Sequence, residues 1–286
     1  MTATVDLASI DRVIDTALAE DLADGPDITT ESTVPADAVT TAALVPRLRG
    51  VLAGVEVARR VFERVVGESL LVQQALSDGC RLVPGEPALV VQGPTRGLLT
   101  AERTALNLLT HLSGIATMTR SWVDAVAGTA AAIRDTRKTL PGLRELQKYA
   151  VTCGGGVNHR MSLGDAALIK DNHLLAAGSV RAAINAVRAV RPDIALEVEV
   201  DTLGQLDEAL AAGATLVLLD NFSLADTAEA VRRTRSGFPG VQLESSGGIT
   251  LDRAAAVAAT GVDFLAIGAL THSAPALDLG MDLLEH

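Results

Sequence analysis

Six short apolar runs, each ending in polar or charged residues, dominate the second half of the chain. They read AAIRDT, AALIKDN, LEVEVD, LVLLDN, VQLESSGG and FLAIGAL, and helical patterns such as SVRAAINAVRAV and TLGQLDEALAAG lie between them. Continuous apolar runs that recur roughly every 20 to 35 residues are typical of parallel strands covered by helices on both faces. The pattern therefore predicts a parallel sheet built from βα units.

The polar ends of these runs favour a barrel over an open sheet. In a β/α barrel the carboxyl ends of the strands meet on one face, and that face carries the chemistry. In an open doubly wound sheet, ligands gather at a single switch point instead. The predicted rim carries Arg137 and Lys138, Lys170, Glu199, Asp220, Glu244 to Ser246, and Gly268. Because fewer such runs can be identified than the eight strands of a complete barrel, we expect an incomplete one.

The chain up to about Leu112 has a different, mixed pattern. The stretch AALVPRLRGVLAGVEVARRVFERV predicts a strand, a turn and a helix, and GCRLVPGEPALVVQG predicts short strands separated by a turn. GPDITT and TVPAD predict turns, and the stretch from LLTAERT to WVDAV predicts one long helix or two consecutive ones. This part of the chain is therefore expected to form an α+β unit.

The formal net charge of −11 argues against broad binding to nucleic acid or to anionic membranes. Cys80 and Cys153 give neither a disulfide framework nor the spacing of a zinc site. The N-terminus has no signal-peptide pattern, and no uninterrupted apolar run reaches the roughly 20 residues of a membrane span. We expect a soluble, cytoplasmic protein that binds neither nucleic acid nor membrane.

Basic residues gather in one window of this acidic chain, which contains only three lysines, Lys138, Lys148 and Lys170. Two like charges about 4 Å apart repel by roughly 4 kcal/mol at an effective dielectric constant near 20. A converging cluster would therefore require an anionic occupant, and the alternative is that the residues lie on separate solvated faces. Lys148 is expected on a helix surface. The candidate cluster consists of Arg137, Lys138, His159, Arg160 and Lys170, with Arg103 as an outlying member.

Two acids and two glycine-containing stretches complete the candidate site. Glu199 and Asp220 end successive predicted strands, where they could bind Mg²⁺, stabilise a developing cation, or pair with the nearby basic residues. SSGGI and IGAL follow the last two predicted strands, where β/α barrels often bind phosphate. His272, just after IGAL, could help to hold a phosphate group, and His159 in GGGVNHR is interpreted as a ligand contact.

The chain resembles the quinolinate phosphoribosyltransferase family. The resemblance rests on DITT, LLTAERTALNLLTHLSGIAT, IRDTRKTLPGLRELQKYAV, GGGVNHRMSLGDAALIKDNH, LEVEVD, LLDN, ESSGGI and FLAIGALTHS, which occur in this order. It implies an α/β fold of the type II phosphoribosyltransferase kind, with an N-terminal α/β sandwich over residues 1–112 and an incomplete barrel over 113–274. A C-terminal tail, 275–286, is expected to pack on the sandwich.

The resemblance also implies the reaction and its participants. Quinolinate and phosphoribosyl pyrophosphate would give nicotinate mononucleotide, pyrophosphate and CO2 for NAD biosynthesis, in a homodimer or larger assembly. Mg²⁺ would be held by Glu199 and Asp220, directly or through water. Quinolinate would be bound by Arg137, His159, Arg160 and Lys170, and by Arg103 reaching over from a neighbouring subunit. Phosphoribosyl pyrophosphate would be bound by Thr136, Lys138, Glu199, Asp220, Ser246, Gly247, Gly248, Ile267, Gly268, Ala269 and His272. The residues expected to be catalytic are Lys138, Lys170, Glu199 and Asp220.

Three alternatives remain open at the level of the sequence. A phosphoribosyltransferase for another pyridine acid, such as nicotinate, would use a similar site with fewer cations. A Schiff-base aldolase would use Lys170 as a neutral nucleophile. A barrel that binds phosphorylated metabolites without catalysis would leave the acids and the cationic cluster unexplained.

Overall fold

The computed structural model describes residues 5–284 and contains two compact units that interleave along the chain. The first unit takes in the described part of residues 1–120, residues 139–155, and the described part of residues 269–286. The second unit consists of residues 121–138 and 156–268. The predicted domain limits after residues 112 and 274 stay predictions, and residues 285 and 286 of the predicted tail lie outside the described residues.

Helices and strands alternate through most of the chain. The helices are α1 (Leu7–Asp21), α2 (Ile28–Thr33), α3 (Val55–Val66), α4 (Thr95–Ala125), α5 (Arg144–Cys153), α6 (Asp171–Ala177), α7 (Val180–Val190), α8 (Leu203–Ala211), α9 (Leu224–Gly237), α10 (Leu251–Ala258) and α11 (Ala269–His272). The strands are β1 (Val39–Pro46), β2 (Gly50–Val51), β3 (Leu71–Ala75), β4 (Arg81–Leu82), β5 (Leu89–Pro94), β6 (Ala132–Arg134), β7 (Ala167–Ile169), β8 (Leu196–Val200), β9 (Leu216–Asp220), β10 (Gln242–Ser246), β11 (Phe264–Ala266) and β12 (Leu279–Leu284).

The first unit is built around an antiparallel sheet with the strand order β12-β1-β5-β3. β1 has six successive buried residues and forms the centre of this sheet, with β12 on one side and β5 on the other. The turn predicted at DITT is wrong, because these residues begin α2. The Asp27 carboxylate accepts a hydrogen bond from the Thr30 backbone N–H at 3.0 Å and so caps the helix.

Helix α5 contradicts the expectation that Lys148 lies on a helix surface. Lys148 is 0% exposed, and Gln147 beside it is equally buried. Leu146, Ala150 and Val151 of the same helix are also buried, so other parts of the protein cover α5 on most of its sides. The sequence position of a single lysine in a mixed polar and apolar helix could not reveal this.

The second unit confirms the predicted α/β fold with an incomplete barrel. All six predicted strands are present in one sheet with the order β6-β11-β10-β9-β8-β7, and the paired strands are parallel. Five strands follow the chain order, and β6, the first, joins the sheet beside β11, the last. The ladder therefore has the order of a barrel that is open between β6 and β7.

The strands of this sheet bury carboxyl groups as well as apolar side chains. Glu197 and Glu199 on β8 and Glu244 on β10 are all at least nine-tenths buried. These acids alternate with apolar residues such as Val198 and Leu243, as the two-residue period of a strand requires. Within residues 5–284, no helix is long and apolar enough to cross a membrane.

Candidate active site

A cavity of about 630 Å³ lies at the carboxyl ends of the parallel strands in the second unit. Most of the residues that the sequence analysis selected line it. The lining residues are Thr136, Arg137, Lys138, His159, Arg160, Leu168, Lys170, Glu199, Leu218, Asp220, Asn221, Glu244, Ser246, Gly247, Gly248 and Ala266. The cavity is thus the place where cations, acids and a glycine turn come together.

The cationic side of the cavity is formed by the segments after β6 and before β7. Arg137 follows β6, and Arg160 lies in the loop between α5 and β7. The Nε atoms of both guanidinium groups are buried and have no hydrogen-bond partner among the described residues. Burial, and next the charge of Arg137, lower the pKa of Arg160. Two partly desolvated guanidinium groups with unused donors are suited to bind carboxylates or phosphates.

The acidic side lies at the ends of β8 and β9. Lys170 Nζ donates a short hydrogen bond to Glu199 Oε2, and the two side chains form an ion pair. Asp220 Oδ2 accepts a hydrogen bond of 2.7 Å from the side-chain amide of Asn221. Both acids line the cavity from neighbouring strands. Lys170 holds the Glu199 side chain, and Asn221 holds the Asp220 side chain.

A tight turn follows β10 and uses two glycines. Gly247 and Gly248 have φ angles of +91° and +58°, a region that favours glycine. Asn221, itself at φ +52°, donates its backbone N–H to the Ser246 carbonyl at 2.9 Å. An added Cβ at Gly247 would lie 2.6 Å from Asn221 Cγ. The turn thus needs glycine both for its dihedral angles and for its contact with Asn221.

Some predicted site residues lie outside the set that lines this cavity. Ile267 and Gly268 follow β11 in the second unit, and the Ile267 N–H donates to the Arg134 carbonyl at 2.9 Å. Ala269 and His272 belong to α11 in the first unit, where His272 Nδ1 lies 2.7 Å from Ser273 Oγ. Arg103 is exposed on α4, also in the first unit.

Two buried acids, Glu244 in the cavity lining and Glu197 on β8, were not among the predicted binding residues, although Glu244 was placed on the predicted rim. Glu244 Oε2 accepts a hydrogen bond of 2.7 Å from Arg134, whose guanidinium lies 4.7 Å from the centroid of the Phe264 ring. Burial, and next the negative charge of Glu197, raise the pKa of Glu244 to about 8. Strand alternation could have identified both acids, because Glu197 lies two residues before Glu199 and Glu244 two before Ser246.

Comparison with known proteins gives the family. The sequence model for the N-terminal domain of quinolinate phosphoribosyl transferase matches residues 27–113, and that for its C-terminal domain matches residues 115–282. The chain is 60% identical over 268 residues to a nicotinate-nucleotide pyrophosphorylase (carboxylating) of Mycobacterium leprae, covering 93% of this chain and 94% of that protein.

Solved structures agree with the sequence match. The structure of the nicotinate-nucleotide pyrophosphorylase from Francisella tularensis superposes with a TM-score of 0.92 at 38% identity, covering 99% of both chains. A human nicotinic acid phosphoribosyltransferase superposes with a TM-score of 0.62 at 16% identity, covering 99% of this chain and 74% of that one, and so shows a shared fold alone. The chain therefore belongs to the quinolinate phosphoribosyl transferase family.

Proposed function

We propose that this protein transfers the phosphoribosyl group of phosphoribosyl pyrophosphate to quinolinate and releases pyrophosphate and CO2. The product is nicotinate mononucleotide, a precursor in NAD biosynthesis. The observation that carries the proposal is the cavity itself, where unpaired guanidinium donors, three carboxyl groups and a glycine turn line one space. Relatives that carry the names of this activity match nearly the whole chain.

Recognition of quinolinate requires a site for two adjacent carboxylates on a flat ring. Arg137 and Arg160 offer buried, unused N–H donors, and a guanidinium can bind a carboxylate through two parallel hydrogen bonds. Lys170 adds a third positive charge at the rim, although Glu199 already accepts from it. A nicotinate site would need to match one carboxylate only, so this number of cations favours the dicarboxylate.

Recognition of phosphoribosyl pyrophosphate is proposed to use other residues that line the same cavity. Glu199 and Asp220 are proposed to accept hydrogen bonds from the ribose hydroxyls, and Lys138 to contact the phosphate oxygens, because all three residues line the cavity. The backbone of the turn Ser246 to Gly248 is proposed to bind the 5′-phosphate, because glycine lets N–H groups approach an anion closely. The remaining proposed contacts are Thr136, Ile267, Gly268, Ala269 and His272.

The reaction then needs orientation and charge more than acid–base groups. The ring nitrogen of quinolinate attacks the anomeric carbon while the bond to pyrophosphate breaks, and Glu199 and Asp220 offset the positive charge that develops on the ribose. The ring nitrogen is now cationic. When the neighbouring C–CO2 bond breaks, this cation stabilises the electron pair left on carbon, which then takes up one proton. Lys138 and Lys170 act by positioning and electrostatics.

Mg²⁺ fits the donors that the cavity offers. Glu199 and Asp220 provide carboxylate oxygens, the ligands that Mg²⁺ prefers, and the ion usually keeps several waters and bridges to substrate phosphates. Because Lys170 already pairs with Glu199, we infer that metal contact at Glu199 runs through water or displaces this pair. When bound, Mg²⁺ would neutralise charge on the departing pyrophosphate.

A pyrophosphate-release assay with purified protein tests the proposed function. We expect release that depends on quinolinate, is accompanied by an equal amount of CO2, and is lost when EDTA removes Mg²⁺ and regained when Mg²⁺ is added. Nicotinate in place of quinolinate should give much slower release. Faster turnover of nicotinate without CO2 would overturn the proposal, and so would binding of phosphoribosyl pyrophosphate with no release of pyrophosphate.

The Schiff-base alternative is disfavoured. A lysine nucleophile must be neutral, and the ion pair with Glu199 favours the charged form of Lys170.

We also propose that the active form is a homodimer or larger assembly in which Arg103 serves the site of a neighbouring subunit. Arg103 is exposed on α4 in the first unit, which is compatible with such a role. Complementation tests it. In a heterodimer of an Arg103→Ala subunit and a Lys170→Ala subunit, one of the two sites would be intact, so about half of the wild-type activity should return. Each variant alone should be nearly inactive, and no recovery in the heterodimer would contradict sharing.

A further inference from the structure

Lys170 lies directly after an edge strand of the parallel sheet. β7 has three residues and stands at one end of the strand order, so among the described strands β8 is its one neighbour. The pairing with β8 ends at Ile169, opposite Val198, and Lys170 is the first residue beyond it. Because a short edge strand offers its backbone few partners, the position of Lys170 has to be determined by other contacts.

His173 supplies such contacts to the Lys170 backbone. The Lys170 N–H donates to His173 Nδ1 at 2.9 Å, and the Lys170 carbonyl accepts from the His173 N–H at 2.8 Å. Nδ1 must be unprotonated to accept the first of these bonds. The donor and the acceptor of the Lys170 backbone are thus both bound to one residue.

The start of α6 explains why a second residue has to hold this lysine. Lys170 is the N-cap of the helix, and His173 is its third residue, N3. Ser, Thr, Asp or Asn is preferred at an N-cap, because the side chain accepts a hydrogen bond from the helix. A lysine ammonium has only donors, and Lys170 Nζ pairs with Glu199. His173 therefore supplies the part of a capping box that comes from N3, where Glu or Gln is usual.

The His173 side chain lies outside the set of described residues that line the substrate cavity, whereas Lys170 belongs to that set. His173 lines a second cavity of about 370 Å³ instead, together with residues such as Ala177 and Val187. It is also exposed, so its replacement removes no core packing. His173 is therefore placed to affect the reaction through the lysine that it holds.

We propose that His173 is a positioning residue, which fixes the Lys170 backbone so that the lysine ammonium stays at Glu199 and at the substrate. This inference rests on the proposed function for the identity of the substrate. The lysine side chain is a flexible four-carbon stem, so a fixed backbone narrows the positions that Nζ can take. A displacement of about 1 Å at a substrate-positioning group can lower a rate by about 100-fold.

Two substitutions at His173 separate the hydrogen bond from the rest of the side chain. We expect His173→Leu to lower kcat/KM for quinolinate about 10- to 100-fold. His173→Gln keeps an acceptor at N3 and should stay within about threefold of wild type. Gly178→Ala, at a φ of +87° where α6 ends, is the control for a general loss of helix stability and should keep near wild-type kinetics. Equal losses in any two of these variants, or wild-type turnover in His173→Leu, would overturn the proposal.

A double-mutant cycle on quinolinate binding shows whether His173 acts through Lys170. Measured by calorimetry, His173→Leu should weaken quinolinate binding in the otherwise wild-type protein. In the Lys170→Ala background it should change the dissociation constant by less than about twofold, because the group that it positions is absent. An equal loss of affinity in both backgrounds would contradict the proposal. Circular dichroism checks that each variant folds.

Amide hydrogen exchange tests the anchor itself and needs neither substrate nor turnover. By NMR of the full chain, the Lys170 N–H should exchange about tenfold faster in His173→Leu than in wild type, the effect of losing one hydrogen bond. In His173→Gln it should exchange near the wild-type rate, and the Val198 N–H should not change in either variant. An unchanged rate at Lys170 in His173→Leu would overturn the proposal. The expected exchange rates in a protein that does not turn over quinolinate would support the anchor and count against the proposed function.

Discussion

Replacing Gly247 by alanine is expected to lower kcat/KM for phosphoribosyl pyrophosphate by about 100-fold or more, which corresponds to an activation free energy higher by roughly 3 kcal/mol. Gly247 has a φ of +91°, and the added Cβ would lie 2.6 Å from Asn221 Cγ and 3.0 Å from the Asn221 backbone nitrogen. A backbone atom cannot move away as a flexible side chain can. Asn221 must therefore shift, and with it the hydrogen bonds to Ser246 and Asp220.

Alanine variants at two other glycines serve as controls, because they test the cost of a positive φ without the close contact to Asn221. Gly248 has a φ of +58° and Gly178 a φ of +87°, and an added Cβ at either would meet no atom within 4 Å. Gly178 ends α6 and does not line the cavity, so its alanine variant should lose thermal stability while its kinetics stay near wild type. Gly248→Ala should have an intermediate effect. Gly247→Ala kinetics as good as those of Gly178→Ala would show that the turn is not a phosphate site.

Much of the second unit could be predicted from the sequence, because its strands are apolar and end in polar residues. The runs that contain β8, β9 and β10 have three to five buried residues each, and continuous buried runs of this kind are typical of parallel strands covered on both faces. β3 gave no comparable signal. All five residues of its sequence LVQQA are exposed, so neither alternation nor a continuous apolar run marks it.

The site was predictable where it lies on strand ends and not where it lies in loops. Lys170, Glu199 and Asp220 follow directly from the rule that carboxyl ends of parallel strands meet. The loop of residues 156–166 has no periodicity, and its course depends on bonds between residues distant in sequence, such as His159 to Asp135 at 2.8 Å. The hydrogen bonds of His159 with Asp135 and with the Arg160 backbone depend on atomic positions that no sequence pattern encodes.

Replacing Arg137 by methionine is expected to lower kcat/KM for quinolinate by about 100- to 1,000-fold and to leave the melting temperature unchanged or higher. Removing one partner of a desolvated charge pair costs roughly 2 to 5 kcal/mol of binding. The empty protein should not lose stability equally, because burial, and next the Arg137 charge, lower the pKa of Arg160, and the buried Arg137 Nε has no partner among the described residues. Methionine keeps the apolar stem of the side chain and removes the repulsion.

Arg160→Met and Arg232→Met are matched comparisons for this prediction. Arg160→Met should lose a similar amount of quinolinate turnover, but it also loses the bond to the Ala166 carbonyl, so its melting temperature should not rise. Arg232 pairs with Glu229 on the surface of α9, and its methionine variant should keep wild-type kinetics. A lower kcat/KM together with a higher melting temperature for Arg137→Met is expected only if the charge of Arg137 binds an anionic substrate. Turnover within about threefold of wild type, under 1 kcal/mol, would mean that quinolinate does not bind there.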